Sequence, residues 1–169
     1  MQNYGAKQMA ASWRTVRKNT IQIAEEIPAD QYDFQATPDT MSVAKLLAHV
    51  ATYTQWVEQL HFVEKKTEVS GADFGRYIGD AAAAAAALTT KEAIIDALIS
   101  RGESFALQLD GMSEAQLDEL MVLPGSTKSR FEMLLGAKEH EMHHRAQLMV
   151  IQRLIGLVPH LTRARQQRS

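Results

Sequence analysis

Three of the chain's six histidines fall within five residues, in the run His140-Glu141-Met142-His143-His144. On an α-helix, His140 and His144 stand one turn apart with their side chains on the same face. Two imidazoles at that spacing can converge on one metal ion, with nitrogen–metal distances of about 2.0–2.1 Å. Steps of three and four residues along this face pass through Met133, Ala137, His140, His144, Leu148, Ile151 and Ile155. The pair therefore interrupts a stripe that otherwise points into a core. Burying two neutral imidazoles there without partners costs roughly 1–3 kcal/mol each. A metal offsets that cost, and so do good hydrogen bonds from neighbouring helices, which is the plainer reading. His49 offers a third ligand, because it sits mid-way along another apolar helical stretch, beside Leu46, Tyr53, Trp56 and Leu60.

Three neutral imidazoles leave a divalent ion its full charge and at least one open position. Such an ion makes a bound water more acidic, or polarises a substrate oxygen or thiol. The chain has no cysteine, so any thiolate must come from an external low-molecular-weight thiol or a substrate. Glu141 and Arg145 are the nearest candidates for acid–base or anion-binding roles; solvation or pairing with neighbouring charges is their plainer reading. Tyr53 and Trp56 are candidate pocket walls, or ordinary core aromatics. His143 lies to one side of the His140/His144 stripe and is placed at the pocket or behind the ligands. His61 is twelve residues beyond His49, about 18 Å along a helix axis, and cannot readily share the ion. His160 follows Pro159 and is expected in solvent. The ligand set suits zinc, nickel, iron, copper or manganese, and affinity order alone does not choose among them.

The elements that must position these residues are helical. Apolar spacing predicts a first helix over about Ala6–Ile27, ended by Pro28, and a second over about Ser42–Glu64. Thr67–Asp80, with three glycines, reads as a loop, and the alanine run Ala81–Ala87 as a helical approach or weakly ordered connection. A third helix follows a capping box at Thr89-Thr90-Lys91-Glu92. Ser113 to Gln116 opens a short helical turn, and Val122–Lys128 is a turn. Ser129-Arg130-Phe131-Glu132 caps a fourth helix that runs to about Ile155 and is stopped by Gly156 and Pro159. No alternating strand pattern stands out. The expected fold class is all-α, a four-helix bundle, with residues 1–160 as one domain and residues 161–169 as a basic, frayed tail.

Composition narrows the function classes. Among 169 residues, 18 Lys and Arg nearly balance 20 Asp and Glu, so there is no bulk basic field for nucleic acid; the only basic cluster is Arg163, Arg165 and Arg168. The absence of cysteine excludes a disulfide framework, a thiolate nucleophile and an iron–sulfur cluster. The longest apolar run, roughly eight residues at Ala81–Leu88, is far below the ~20 that cross a bilayer. The opening MQNYGAKQMAASWR carries no secretory pattern. A cytoplasmic protein with no membrane or nucleic-acid partner is expected.

The pair of segments DTMSVAKLLAHVATYTQW (Asp39–Trp56) and KEHEMHHRAQLMVIQRLIGLVP (Lys138–Pro159) resembles the DinB/YfiT-like family of metal-dependent enzymes. The preceding IPADQYDFQATPD also looks like that family's link between its first two helices. The resemblance implies a four-helix bundle of up-down-down-up topology, often dimeric. It also implies a divalent metal held by one histidine of the second helix and an H-x-x-x-H pair of the fourth. These fall on His49, His140 and His144. Ala146 stands where relatives commonly have glycine. The resemblance implies metal-assisted hydrolysis or thiol S-transfer on a small molecule.

Three other readings compete. HEMHH matches the H-E-x-x-H signature of zinc proteases, but no suitable downstream ligand or substrate-holding strand accompanies it. A ferritin-like di-iron site would use Glu58–His61 and Glu141–His144 with Glu26 and Glu103, leaving His49 and His140 without roles. A non-enzymatic, metal-stabilised dimeric stress-response bundle is the third.

Overall fold

Serine and threonine hydroxyls open most of the helices, and each meets a backbone amide that has no partner within its own helix. The computed structural model describes residues 4–167. Helix α1 spans Ala6–Glu26 and α2 spans Val43–Glu58, followed directly by a π-helical turn at Gln59–Val63. Helix α3 covers Gly71–Ala86, α4 Lys91–Asp110 and the short α5 Glu114–Asp118. Strands β1 (Leu120–Leu123) and β2 (Ser126–Ser129) precede α6 (Arg130–Leu154), and α7 (His160–Gln166) ends the chain. Ser42 accepts from the Lys45 amide to open α2. Reciprocal capping boxes open α3 (Ser70/Asp73), α5 (Ser113/Gln116) and α6 (Ser129/Glu132). The fold is predominantly helical, as expected, and no described helix is long and apolar enough to cross a membrane.

Several local expectations are corrected. The glycine-containing stretch read as a loop is helix α3, continuous with the alanine run. A Cβ added at Gly71, Gly75 or Gly79 would meet nothing within 4 Å, so these positions face open space. Buried Tyr77 and half-buried Phe74 anchor the other face beside Leu60, Val69 and Met121. The segment read as a turn is a hairpin, pairing Leu120 with Ser129 through Leu123 with Ser126. Pro124 and Gly125 (φ 80°) make its two-residue turn, which needs the left-handed backbone glycine tolerates. Only Met121 of β1 is fully buried, too short a pattern to register as alternation. The cap of α4 is Thr90, accepting from the Ala93 amide, and Glu92 has no part in a box.

The supposed frayed tail is α7, and His160 is buried rather than solvated. Its Nε2 lies 3.2 Å from Asn19 Oδ1 on α1. Arg163 donates to Glu26 at 2.5 Å and Arg153 to the Thr162 hydroxyl at 2.8 Å. The chain reverses before it at Gly156, φ 84°. Arg168 of the basic cluster, Ser169 of the tail and Met1–Asn3 of the opening segment lie outside the described residues.

The long helices α1, α2, α4 and α6 pack on one another: α1 against α4 and α6, α2 against α4 and α6. One apolar cluster holds Ile23, Ile27, Leu47, Val50, Leu98 and Leu148. A second holds Met9, Trp13, Val57, Phe105, Leu109 and Leu134. In sequence, Arg17 falls between the α1 members of the two clusters and Glu141 between those of α6. They form a buried ion pair. Trp13 stacks beneath the guanidinium, 4.8 Å from its centre, and donates Nε1 to Gly102 O at 2.9 Å.

Gly102 makes the space for this pair. A Cβ there would stand 2.6 Å from Arg17 Cγ and 3.1 Å from Cδ. Alanine normally stabilises a helix interior by about 0.5–1 kcal/mol over glycine. Here Gly102→Ala is expected to lower the urea midpoint instead, because the displaced stem belongs to a pinned, buried arginine. A raised midpoint would show that the stem is free to move.

Candidate metal centre

Helix α2 presents His49, and α6 presents His140 and His144 one turn apart. The helical period and the contact between the two helices bring all three rings together. His140 Nε2 lies 3.0 Å from His49 Nε2 and 3.1 Å from His144 Nε2. The three rings meet edge to face, at centroid separations of 4.4 to 4.9 Å. Among the described residues, these three are the group of histidines and carboxylates that could hold a metal, with ligand atoms within 4.8 Å of one another. A tetrahedral ion with bonds of about 2.0–2.1 Å has ligand nitrogens about 3.3 Å apart. The two pairs that include His140 are within a few tenths of that spacing, and the three ligand atoms all lie within 4.8 Å of one another.

The proton arrangement favours the same use. Gln147 Oε1 can only accept, so His144 Nδ1 carries a proton and donates it at 2.8 Å. That leaves the His144 Nε2 lone pair free, turned towards His140. The Gln147 amide nitrogen lies 3.2 Å from His143 Nε2, and the His143 ring also packs edge-on against His144 at 5.0 Å. Tyr53 stacks flat on His140, with centroids 3.4 Å apart and an angle of 10°. His140 Nδ1 is buried and has no hydrogen-bond partner among the described residues.

Burial, then the neighbouring imidazoles, pushes His140 down to about 3. His49 is lowered by burial and by His144. His144 is lowered by burial, against an upward pull from Gln147. All three rings are held neutral, the form that coordinates. The donor set therefore fits a divalent cation.

The other candidates fall elsewhere. Glu141, 2% exposed, faces away from the three rings into the ion pair with Arg17 and is fully engaged there. Arg145 is half-buried, and no hydrogen bond or ion pair joins it to the histidines among the described residues; its charge is felt at His160. Trp56 packs edge-on behind Tyr53 at 5.6 Å and against Phe74. The carboxylates of the di-iron alternative are dispersed. Glu26 binds Arg163, Glu103 binds Arg14 and Glu141 binds Arg17.

Sequence reasoning overlooked Arg17, Gln147 and Gly102. The available signal was a lone arginine on the apolar face of α1 and a lone glutamate on that of α6. Beside the centre, Met41, Leu46, Gln147, Val150 and Ile151 line a groove of about 460 Å³. Leu46 is one turn before His49 and Gln147 one turn after His144, so the groove adjoins the rings.

His61 is separate, as its position along the chain implies. Arg130 Nη1 donates to its Nδ1 at 3.0 Å, and its Nε2 is buried without a partner among the described residues. Burial and the Arg130 charge press it down to about 3. In the unfolded chain this group protonates near 6.5, so stability falls as pH drops from about 6.5 towards about 3. His61→Gln is expected to flatten that dependence by up to about 1.4 kcal/mol per pH unit. Denaturant unfolding across a pH series checks this; equal slopes for the two proteins would contradict it.

No curated protein matches the chain at a significant level. A family model described as the DinB superfamily matches residues 12–148. That stretch takes in most of the 169 residues and every one of the three clustered histidines, and the chain belongs to the DinB superfamily.

Proposed function

We propose that the protein binds one divalent metal ion through His49, His140 and His144 and is a metal-dependent enzyme acting on a small molecule. The observation that carries this reading is the convergence of three neutral imidazole nitrogens from two helices at 3.0 and 3.1 Å. Zinc, nickel, iron and manganese all suit the donor set. The ion would supply Lewis acidity, drawing electron density from a substrate oxygen or thiol sulfur. In this reading α1, α2, α4 and α6 form an up-down-down-up bundle, and the protein is cytoplasmic and homodimeric.

The chain's own residues supply orientation. Gln147 fixes the tautomer of His144, and Tyr53 holds the plane of His140 by stacking. The adjoining groove has the volume of a small-molecule pocket, and its apolar wall from Leu46, Val150 and Ile151 suits a substrate with an apolar body. With no cysteine in the chain, transfer chemistry would use an external low-molecular-weight thiol; metal-assisted hydrolysis would need none. Glu141 takes no proton-transfer role here, because both its oxygens are committed to Arg17.

The test is metal analysis of the purified chain with titration of zinc and nickel, alongside His49→Ala, His140→Ala and His144→Ala. One ion per chain is expected for the wild type, with affinity reduced at least about 100-fold in each variant. Unchanged binding by His49→Ala would overturn the ligand set. Chelator-sensitive turnover of hydrolase or thiol-acceptor substrates is expected for the loaded protein. Binding of metal without turnover on either panel would favour the non-enzymatic, metal-stabilised bundle.

A further inference from the structure

Arg17 of α1 is 3% exposed and reaches the other three long helices, α2, α4 and α6, from one side chain. Its Nε donates to both oxygens of Glu141 at 3.1 and 3.0 Å, and its Nη2 stands 2.9 Å from Glu141 Oε2. Nη1 donates to Leu98 O on α4 at 3.0 Å, and Nη2 to Val50 O on α2 at 3.3 Å. Both carbonyls lie inside helices, so the guanidinium uses lone pairs additional to the ladder bonds. The partners on α2 and α6 are specific: Val50 follows His49, and Glu141 follows His140 and precedes His144 by three residues.

Apolar side chains of similar volume fill such a space with equal or better stability. The planar fork fixes direction as well as distance. We propose that Arg17 is a positioning residue for the metal centre: through Val50 O and Glu141 it sets the separation and rotation of α2 and α6, and so the spacing of the three ring nitrogens. This inference rests on the metal reading above. It assigns the two buried charges to the geometry of the ligands rather than to the stability of the fold.

The test replaces the pair together in the full chain, Arg17→Met with Glu141→Met, and titrates zinc and cobalt(II). The double variant is expected to be helical, with a melting temperature within about 5 °C of the wild type. It is expected to bind zinc about 10–100-fold more weakly. The visible absorption of bound cobalt(II), which reports ligand geometry, is expected to shift.

Arg17→Lys, which keeps the charge but offers one point of attachment instead of a fork, should weaken binding about tenfold and not restore the spectrum. It is the deciding variant if the double replacement does not fold. Wild-type affinity and an unchanged cobalt spectrum in either folded variant would overturn the inference. His49→Ala, titrated in parallel, separates the two failures. If it also binds as the wild type does, the ligand set is wrong; if it alone loses metal, only the role of Arg17 is wrong.

Discussion

A single guanidinium among apolar side chains is the constraint around which the bundle is arranged. Leaving either partner of a buried ion pair alone costs about 3–5 kcal/mol. Against a total stability of about 5–15 kcal/mol, that is enough to exclude arrangements in which α1 and α6 slide past one another. An apolar contact tolerates small shifts in register, whereas a fork bound to Glu141, Leu98 O and Val50 O does not. The tight approach of Gly102 to the arginine stem shows how little room the arrangement leaves.

The candidate metal centre lies at the same level of the bundle. His49 and His140 are each adjacent in sequence to a partner of Arg17, so one turn of α2 and one turn of α6 serve two purposes. One side faces inward to the ion pair; the other brings the imidazoles together. Gln147 and Tyr53 complete the support from outside, the first by fixing a proton and the second by stacking. Each of the three imidazoles is thus attached to a packed helix rather than a loop, which limits its motion.

Much of this was legible from the residues. The four long helical stretches, the serine boxes at Ser113 and Ser129, and the matched spacing of His140 and His144 with a mid-helix His49 depend on local pattern. Local pattern survives into the fold. What failed depended on tertiary contacts. Helix α3 carries glycines that argue against a helix, yet Phe74, Tyr77 and the Ser70 cap outweigh them. The hairpin has one fully buried residue, too few for a period of two to be visible. His160 follows a proline, a stop signal in sequence, but the chain turns back at Gly156 and lays a further helix against α1. Arg17 and Glu141 could not be paired from sequence because 124 residues separate them.

The π-helical turn at Gln59–Val63 has an effect on how the molecule can change. Its wider winding, with the Glu64 amide reaching back to Gln59 O, forms the last turn of this helical stretch and carries His61. It sets His61 against Arg130 at the start of α6, apart from the three clustered imidazoles. Substitutions at Phe74 of α3 would reach the imidazoles from that end, through Trp56 and the Tyr53 ring stacked on His140.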